Sequence, residues 1–158
     1  MIAVIGGQSE TTDEAVKLAH EVGRLVAVRG AYLICGGLEG VMAAACRGAK
    51  EAGGTTIGVL PTTSKLDSNP YVDIPIVTGM GTARNVIIVR SADAIIAIDG
   101  RYGTLSEIAH ALDQQKRVIS LHSWPSLKKD VDGELFVEAS TPRQAVDLAF
   151  EYASRKKR

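Results

Sequence analysis

The residues Asp99-Gly100-Arg101-Tyr102-Gly103-Thr104-Leu105-Ser106-Glu107 follow an apolar run, Ala94 to Ile98, and precede a helical pattern of Leu105, Ile108, Ala109 and Leu112. Strand, glycine loop and helix in that order aim unpaired backbone N–H groups and the positive end of a helix dipole at the loop. That suits an anion, most often a phosphate. Two further glycine junctions stand at Gly6-Gly7 and at Gly36-Gly37-Leu38-Glu39-Gly40. In an open parallel sheet such loops all lie at the carboxyl edge of the strands, where ligands bind near the reversal of strand order. They predict one shared crevice, with Gly6, Gly7, Gly36, Gly37, Gly40, Gly100, Arg101, Tyr102, Gly103 and Thr104 as candidate binding residues. The plainer reading, glycines that only permit tight turns, is weaker for all the junctions together than for any one.

Arg84 and Asn85 fall in the first turn of a helix expected from about Thr82 to Ser91, with Thr82 as candidate N-cap. A cation there opposes the helix dipole, which marks Arg84 for a task other than helix stability. Glu107 has two readings, a group facing the crevice or the far end of a capping box, Thr104-x-x-Glu107, that closes its own helix. Tyr102 either stacks on a ring or covers the loop. The crevice does not match a conventional nicotinamide dinucleotide site: no Gly-x-Gly-x-x-Gly follows the first strand, and Cys35-Gly36 stands where an acidic residue would take ribose hydroxyls. No Gly-x-x-x-x-Gly-Lys-Ser/Thr loop is present either, which argues against an ATP-hydrolysing P-loop. His20, His110 and His122 lack ligand spacing, so no metal site is expected, and Cys35 reads as a small buried residue rather than a soft ligand.

The elements that must position these groups alternate. Apolar runs at Ile2–Ile5, Tyr32–Cys35, Thr56–Leu60, Ile74–Val77, Ala94–Ile98, Val118–Leu121 and Leu135–Glu138 read as strands. Between them lie amphipathic stretches. One starts at a capping box Thr11 to Glu14, runs to about Val28 and stops at Gly30; one is rich in small residues after Gly40; one runs from Thr104 to about Gln115; and one opens on Thr141-Pro142-Arg143-Gln144. Alternation of this kind predicts parallel β-α-β units, hence an α/β, Rossmann-like three-layer sandwich with a mainly parallel sheet of about seven strands.

A chain of 158 residues fits one domain, with 46% hydrophobic and 23% charged residues as in ordinary soluble proteins. No apolar run approaches the roughly 20 residues of a membrane helix, and the N-terminus lacks the basic region of a signal peptide, so a cytoplasmic location with reduced Cys35 and Cys46 is expected. The formal charge is zero, yet Arg155 to Arg158 hold four of the 18 basic residues, and without them 14 basic face 18 acidic. A slightly acidic body argues against nucleic acid as a partner, and the tail reads as the solvated last turn of a helix.

The ordered set Gly36-Gly37-Leu38-Glu39-Gly40-Val41-Met42, Met80 with Arg84, Ser91-Ala92-Asp93-Ala94 and Tyr102-Gly103-Thr104-Leu105-Ser106-Glu107 resembles the "possible lysine decarboxylase" family, which includes the Lonely Guy cytokinin-activating phosphoribohydrolases. The likeness runs from about Met1 to Leu121 and looks closer to the short branch containing molybdenum cofactor carrier proteins. The resemblance implies a Rossmann-like sheet, a homodimer or homotetramer, and a nucleotide monophosphate or molybdenum cofactor held at the glycine loops. It also implies roles for Glu107 and Arg84, which match the family's motif glutamate and upstream arginine. In a hydrolase the carboxylate would orient water or stabilise an oxocarbenium-like sugar, and Arg84 would hold substrate or phosphate. Two departures from the hydrolase pattern Pro-Gly-Gly-x-Gly-Thr-x-x-Glu stand out: Asp99 replaces the proline and Arg101 the second glycine. Arg101 either supplies charge to a phosphate or crowds it out. Thr82-Ala83 also replace more polar residues ahead of the arginine. A binding or carrier role therefore ranks first, a nucleoside 5'-monophosphate phosphoribohydrolase second, and an assembly protein with a vestigial crevice third. Lysine decarboxylation lacks support, since no lysine has a pyridoxal-binding context.

Overall fold

In the computed structural model, which describes residues 1–129 and 131–155, seven strands alternate with helices. They are β1 (Ile2–Gly6), α1 (Asp13–Val28), β2 (Leu33–Cys35), α2 (Val41–Glu51), β3 (Thr56–Leu60), β4 (Ile74–Val77), α3 (Asn85–Ser91), β5 (Ala94–Ile98), α4 (Tyr102–Asp113), β6 (Val118–Leu121), β7 (Phe136–Glu138) and α5 (Pro142–Arg155). Every strand pair is parallel, in the order β4-β3-β2-β1-β5-β6-β7. The expected mainly parallel sheet is thus all parallel. Strand order counts down to β1 and then jumps to β5, and that reversal opens a crevice at the carboxyl ends of these two strands.

The apolar runs are continuous because both sheet faces are covered. Along β1, Ile2 and Val4 join the core beneath α1, α2 and α5, while Ala3 and Ile5 join Ile88, Val89, Ile108 and Ala111 of α3 and α4. The small residues of α2 serve contact with a helix as well as with the sheet. A Cβ on Gly23 of α1 would lie 1.9 Å from the carbonyl oxygen of Ala45, and one on Gly48 of α2 the same distance from that of His20. On the sheet edge, Pro75 of β4 needs no ladder donor on its outer side.

Helix starts depart from their expected positions. The N-cap of α1 is Thr12, whose Oγ1 accepts from Ala15 N at 3.1 Å, whereas Thr11 Oγ1 donates to the Gly7 carbonyl at 3.1 Å. Thr11 is thus taken by the loop after β1. Thr82 caps nothing: it lies in a single 3₁₀ turn, Gly81–Arg84, and neither that turn nor α3 carries a side-chain cap. The opening of α5 is as expected, with Thr141 Oγ1 accepting from Gln144 N at 3.2 Å. At the other end of α3, Lys116 Nζ donates to the carbonyls of Val89, Arg90 and Ala92 at 2.6 to 2.7 Å, satisfying acceptors that the helix leaves over. Arg155 ends α5 and pairs with Glu151; the expected tail residues Lys156, Lys157 and Arg158 lie outside the described residues. Among the described residues no helix is long and apolar enough to cross a membrane.

Candidate functional site

The loops after β1, β2 and β5 converge with the start of α3 around a cleft of about 260 Å³. Gly6 and Gly7 form one wall, Gly36 the floor, and Gly103 and Thr104 the opposite wall. Arg84, Asn85 and Glu107 project into it, and Arg101 stands at its mouth. Of the expected residues, Gly37, Gly40, Gly100 and Tyr102 do not line the cleft. Gly37 and Gly40 turn the chain into α2, and a Cβ on Gly40 would stand 2.3 Å from the Gly7 carbonyl. Gly100 has φ +105 and turns the chain between β5 and α4.

The 3₁₀ turn ahead of α3 delivers Arg84 to the cleft floor, with 8% of its surface exposed. Its Nη2 donates to the Gly36 carbonyl at 3.3 Å and its Nη1 to Asn85 Oδ1, but its Nε is buried without a partner. Gly36 must be a glycine for this packing, since a Cβ there would lie 2.4 Å from Arg84 Nη2 and 2.7 Å from Met42 Sδ. Asn85 Nδ2 in turn donates to the Gly103 carbonyl at 3.4 Å, which ties the start of α3 to that of α4.

The N-cap of α4 is Arg101, not Thr104, and it makes no side-chain cap. The capping-box reading of Glu107 therefore fails. Glu107 lies in the second turn of α4 facing Arg84, and the first-turn amides before it have no acceptor inside the helix. Glu107 is 6% exposed, and its Oε1 lies 4.0 Å from Arg84 Nη1, within ion-pair reach but too far for a hydrogen bond. Burial pushes the Glu107 carboxyl up to about 8, against the opposing pull of the Arg84 charge. Burial likewise lowers the pKa of Arg84, and the nearby Glu107 only partly restores it. At neutral pH the cleft accordingly holds a guanidinium beside a protonated carboxyl and is net positive, a setting for an anion.

Arg101 does not crowd this space. Its side chain is exposed and its Nη2 reaches Glu10 Oε2 at 2.6 Å, so it crosses the mouth from the β5 side to the β1 side. Tyr102 lies outside with its ring 6.4 Å from that of Trp124. Cys35 is buried with its Sγ 3.5 Å from Cys46 Sγ, in the core beneath α1 and α2. His20 is on the surface, 2.7 Å from Glu51. Sequence reasoning missed Gln8, Ser9, Leu38, Met42 and Pro61 as lining residues and took Thr82 only as a cap. Gln8 and Ser9 had a signal, since they continue the Gly6-Gly7 loop. Leu38 and Met42 had one too, since both belong to the Gly36–Met42 motif, whereas Pro61 had none, because only the tertiary fold brings it in.

A family model described as the SLOG cluster4 family matches residues 1–150. The chain belongs to the SLOG cluster4 family. Among solved structures similar to this SLOG chain is the molybdenum cofactor binding protein from the phototrophic bacterium Rippkaea orientalis, 40% identical with a TM-score of 0.88 over 95% of this chain and 94% of that one. The Moco carrier protein from Chlamydomonas reinhardtii is 38% identical, with a TM-score of 0.89 over 98% and 97% of the two chains. A cytokinin riboside 5'-monophosphate phosphoribohydrolase of Mycobacterium tuberculosis is 35% identical over 113 residues, 70% of this chain and 60% of the enzyme. This SLOG chain thus matches the two cofactor proteins along almost their whole length and the hydrolase over a smaller part.

Proposed function

We propose that this SLOG protein binds a phosphate-bearing ligand of the molybdenum cofactor or nucleotide monophosphate type in the cleft and carries it without redox chemistry of its own. The observation that carries the proposal is Arg84, buried with its Nε unclaimed, beside first-turn amides of α4 that have no capping side chain. A phosphate oxygen satisfies both. The full-length similarity to molybdenum cofactor binding and carrier proteins supports a pterin phosphate as cargo. Such a group fits the donors present: Arg84 and the amides of Gly103 and Thr104 would hold its phosphate. Titration calorimetry of the whole chain with molybdopterin and with AMP tests this. The expected result is saturable binding that Arg84→Ala removes; affinity unchanged in that variant overturns the assignment.

A second reading rests on Glu107. A carboxyl facing the cleft beside Arg84 also suits hydrolysis of an N-glycosidic bond, with water added at the sugar carbon and the base released. Incubation with purine monophosphates separates the two. Release of base and ribose 5-phosphate that Glu107→Ala abolishes would replace the carrier role with a phosphoribohydrolase.

The partner at the protein level is a second copy of the chain, as a homodimer or homotetramer. Edge strand β4 supports this, with Ile74, Ile76 and Val77 each more than 40% exposed and Met80 50% exposed nearby, an apolar strip that association would cover. Light scattering should give a mass of two or four chains; a monomer at micromolar concentration sinks the oligomer.

A further inference from the structure

Beside the cleft lies a second cavity of about 380 Å³, lined by Arg101, Tyr102 and Trp124. Arg101 lines both spaces, and Tyr102 stands in sequence between Arg101 and the cleft wall at Gly103 and Thr104. The two rings are tilted by 41° with centroids 6.4 Å apart, and Tyr102 is 82% exposed. An aromatic ring this exposed buries little in the free protein, so turning it onto a flat ligand gives up few contacts.

The backbone that presents Trp124 is unusual. His122 and Trp124 have φ +59 and +44, and Asp99 across from them has +52, left-handed values that disfavour residues with side chains. A serine network holds this arrangement: Ser120 Oγ donates to the Ser123 carbonyl, Ser123 N donates to Ser120 Oγ at 3.2 Å, and Ser123 Oγ donates to the Asp99 carbonyl. The loop after β6 is thereby fastened to the loop after β5, and Trp124 is fixed beside Tyr102. The indole Nε1 of Trp124 is buried with no acceptor among the described residues, a donor left over as Arg84 Nε is in the cleft.

We propose that Tyr102, Trp124 and Arg101 form a stacking platform for a planar heteroaromatic ring belonging to the same ligand whose phosphate enters the cleft. The inference rests on the phosphate-binding reading above and adds the side on which the ring leaves it. Two aromatic faces and a guanidinium accept a purine or a pterin alike, because stacking needs a π-face rather than a particular edge. Arg101 lies where the two parts of such a molecule join, so one side chain can touch both phosphate and ring.

Trp124 is the single tryptophan of the chain, so selectively excited tryptophan emission reports from the platform alone. The whole protein is titrated with AMP, GMP and a pterin phosphate, and in parallel, by calorimetry, with ribose 5-phosphate and inorganic phosphate. A ring-bearing probe should quench Trp124 emission and bind about tenfold more tightly than ribose 5-phosphate. Tyr102→Ala should abolish that advantage and leave ribose 5-phosphate binding unchanged, while Tyr102→Phe restores it. Equal affinity for ribose 5-phosphate and every ring-bearing probe, with no quenching, overturns the platform and leaves the phosphate cleft standing. Ring-selective binding that Tyr102→Ala does not weaken overturns the platform too. Failure of every probe to bind overturns the phosphate cleft along with it.

Discussion

Arg84 Nη1 stands 4.0 Å from Glu107 Oε1 with both side chains buried, yet the carboxyl keeps its proton to about pH 8. Two charges taken out of water cost more than a pair at this distance recovers. The cleft is therefore positive at neutral pH and becomes a neutral pair in alkali.

Ligand affinity should follow that titration. A phosphate monoester has a second pKa of about 6, so its charge is constant between pH 7 and 9. Binding should weaken as pH rises through about 8, where Glu107 ionises beside the anion. Glu107→Gln should flatten the profile, and calorimetry across this range checks it.

Stability should carry the same signature. The pKa of Glu107 is raised in the folded state, so its contribution is intact below the unfolded value of about 4.5 and is withdrawn as pH climbs through about 8. Within that window the slope reaches about 1.4 kcal/mol per pH unit at most. Glu21, Glu51 and Asp73 have lowered pKa values, so their own slope is confined to the acid end of that window and is common to the native chain and to Glu107→Gln. Denaturant melts of the native chain and of Glu107→Gln should diverge between pH 5 and 8; parallel curves count against a buried neutral carboxyl.

Arg84→Met should separate binding from folding. The substitution removes a buried cation with an unclaimed donor and leaves Glu107 neutral at pH 7, so stability should hold within about 1 kcal/mol or rise. Phosphate-ligand affinity should fall by about 1.5–3 kcal/mol, the worth of hydrogen bonds to a charged group. Thermal melts and titrations on one preparation give both numbers.

Two glycines predict opposite outcomes. A Cβ on Gly36 would meet the far end of Arg84, which can swing away, so Gly36→Ala should fold and lose ligand. On Gly6 it would lie 2.3 Å from the Ile98 carbonyl, backbone at the last pair of the β1–β5 ladder that cannot swing away. Gly6→Ala should thus cost about 1–3 kcal/mol of stability, as overpacking does, and circular dichroism melts distinguish the two.

Arg101→Ala should change capture rather than stability. Its ion pair with Glu10 is more than two-thirds exposed on both sides, and such pairs contribute about 0–1 kcal/mol. Without Arg101 the association rate and its salt dependence should fall, which stopped-flow measurements at two ionic strengths would show.

Most of the fold was legible because parallel strands buried on both faces leave unbroken apolar runs, as at Ala94–Ile98, with helical periodicity between them. The glycine junctions were legible because each is contiguous in the chain, and Arg84 because a cation in a first helical turn conflicts with its own helix. Helix starts at Asp13, Asn85 and Tyr102 were misread because the caps compete with tertiary uses: Thr11 bonds the β1 loop, and Thr104 faces the cleft. Trp124 beside Tyr102 could not be anticipated, since the contact joins loops that follow different strands.

The central strand β1 precedes its second neighbour, β5, by some 90 residues of chain. One wing of the sheet, β1 to β4, meets the other, β5 to β7, only along the β1–β5 seam, and the cleft straddles that seam. A molecule lodged between Gly7 and Thr104 would act as a rivet through both wings, so hydrogen exchange along Ala3–Gly6 and Ile95–Ile98 should slow more on loading than at the outer strands.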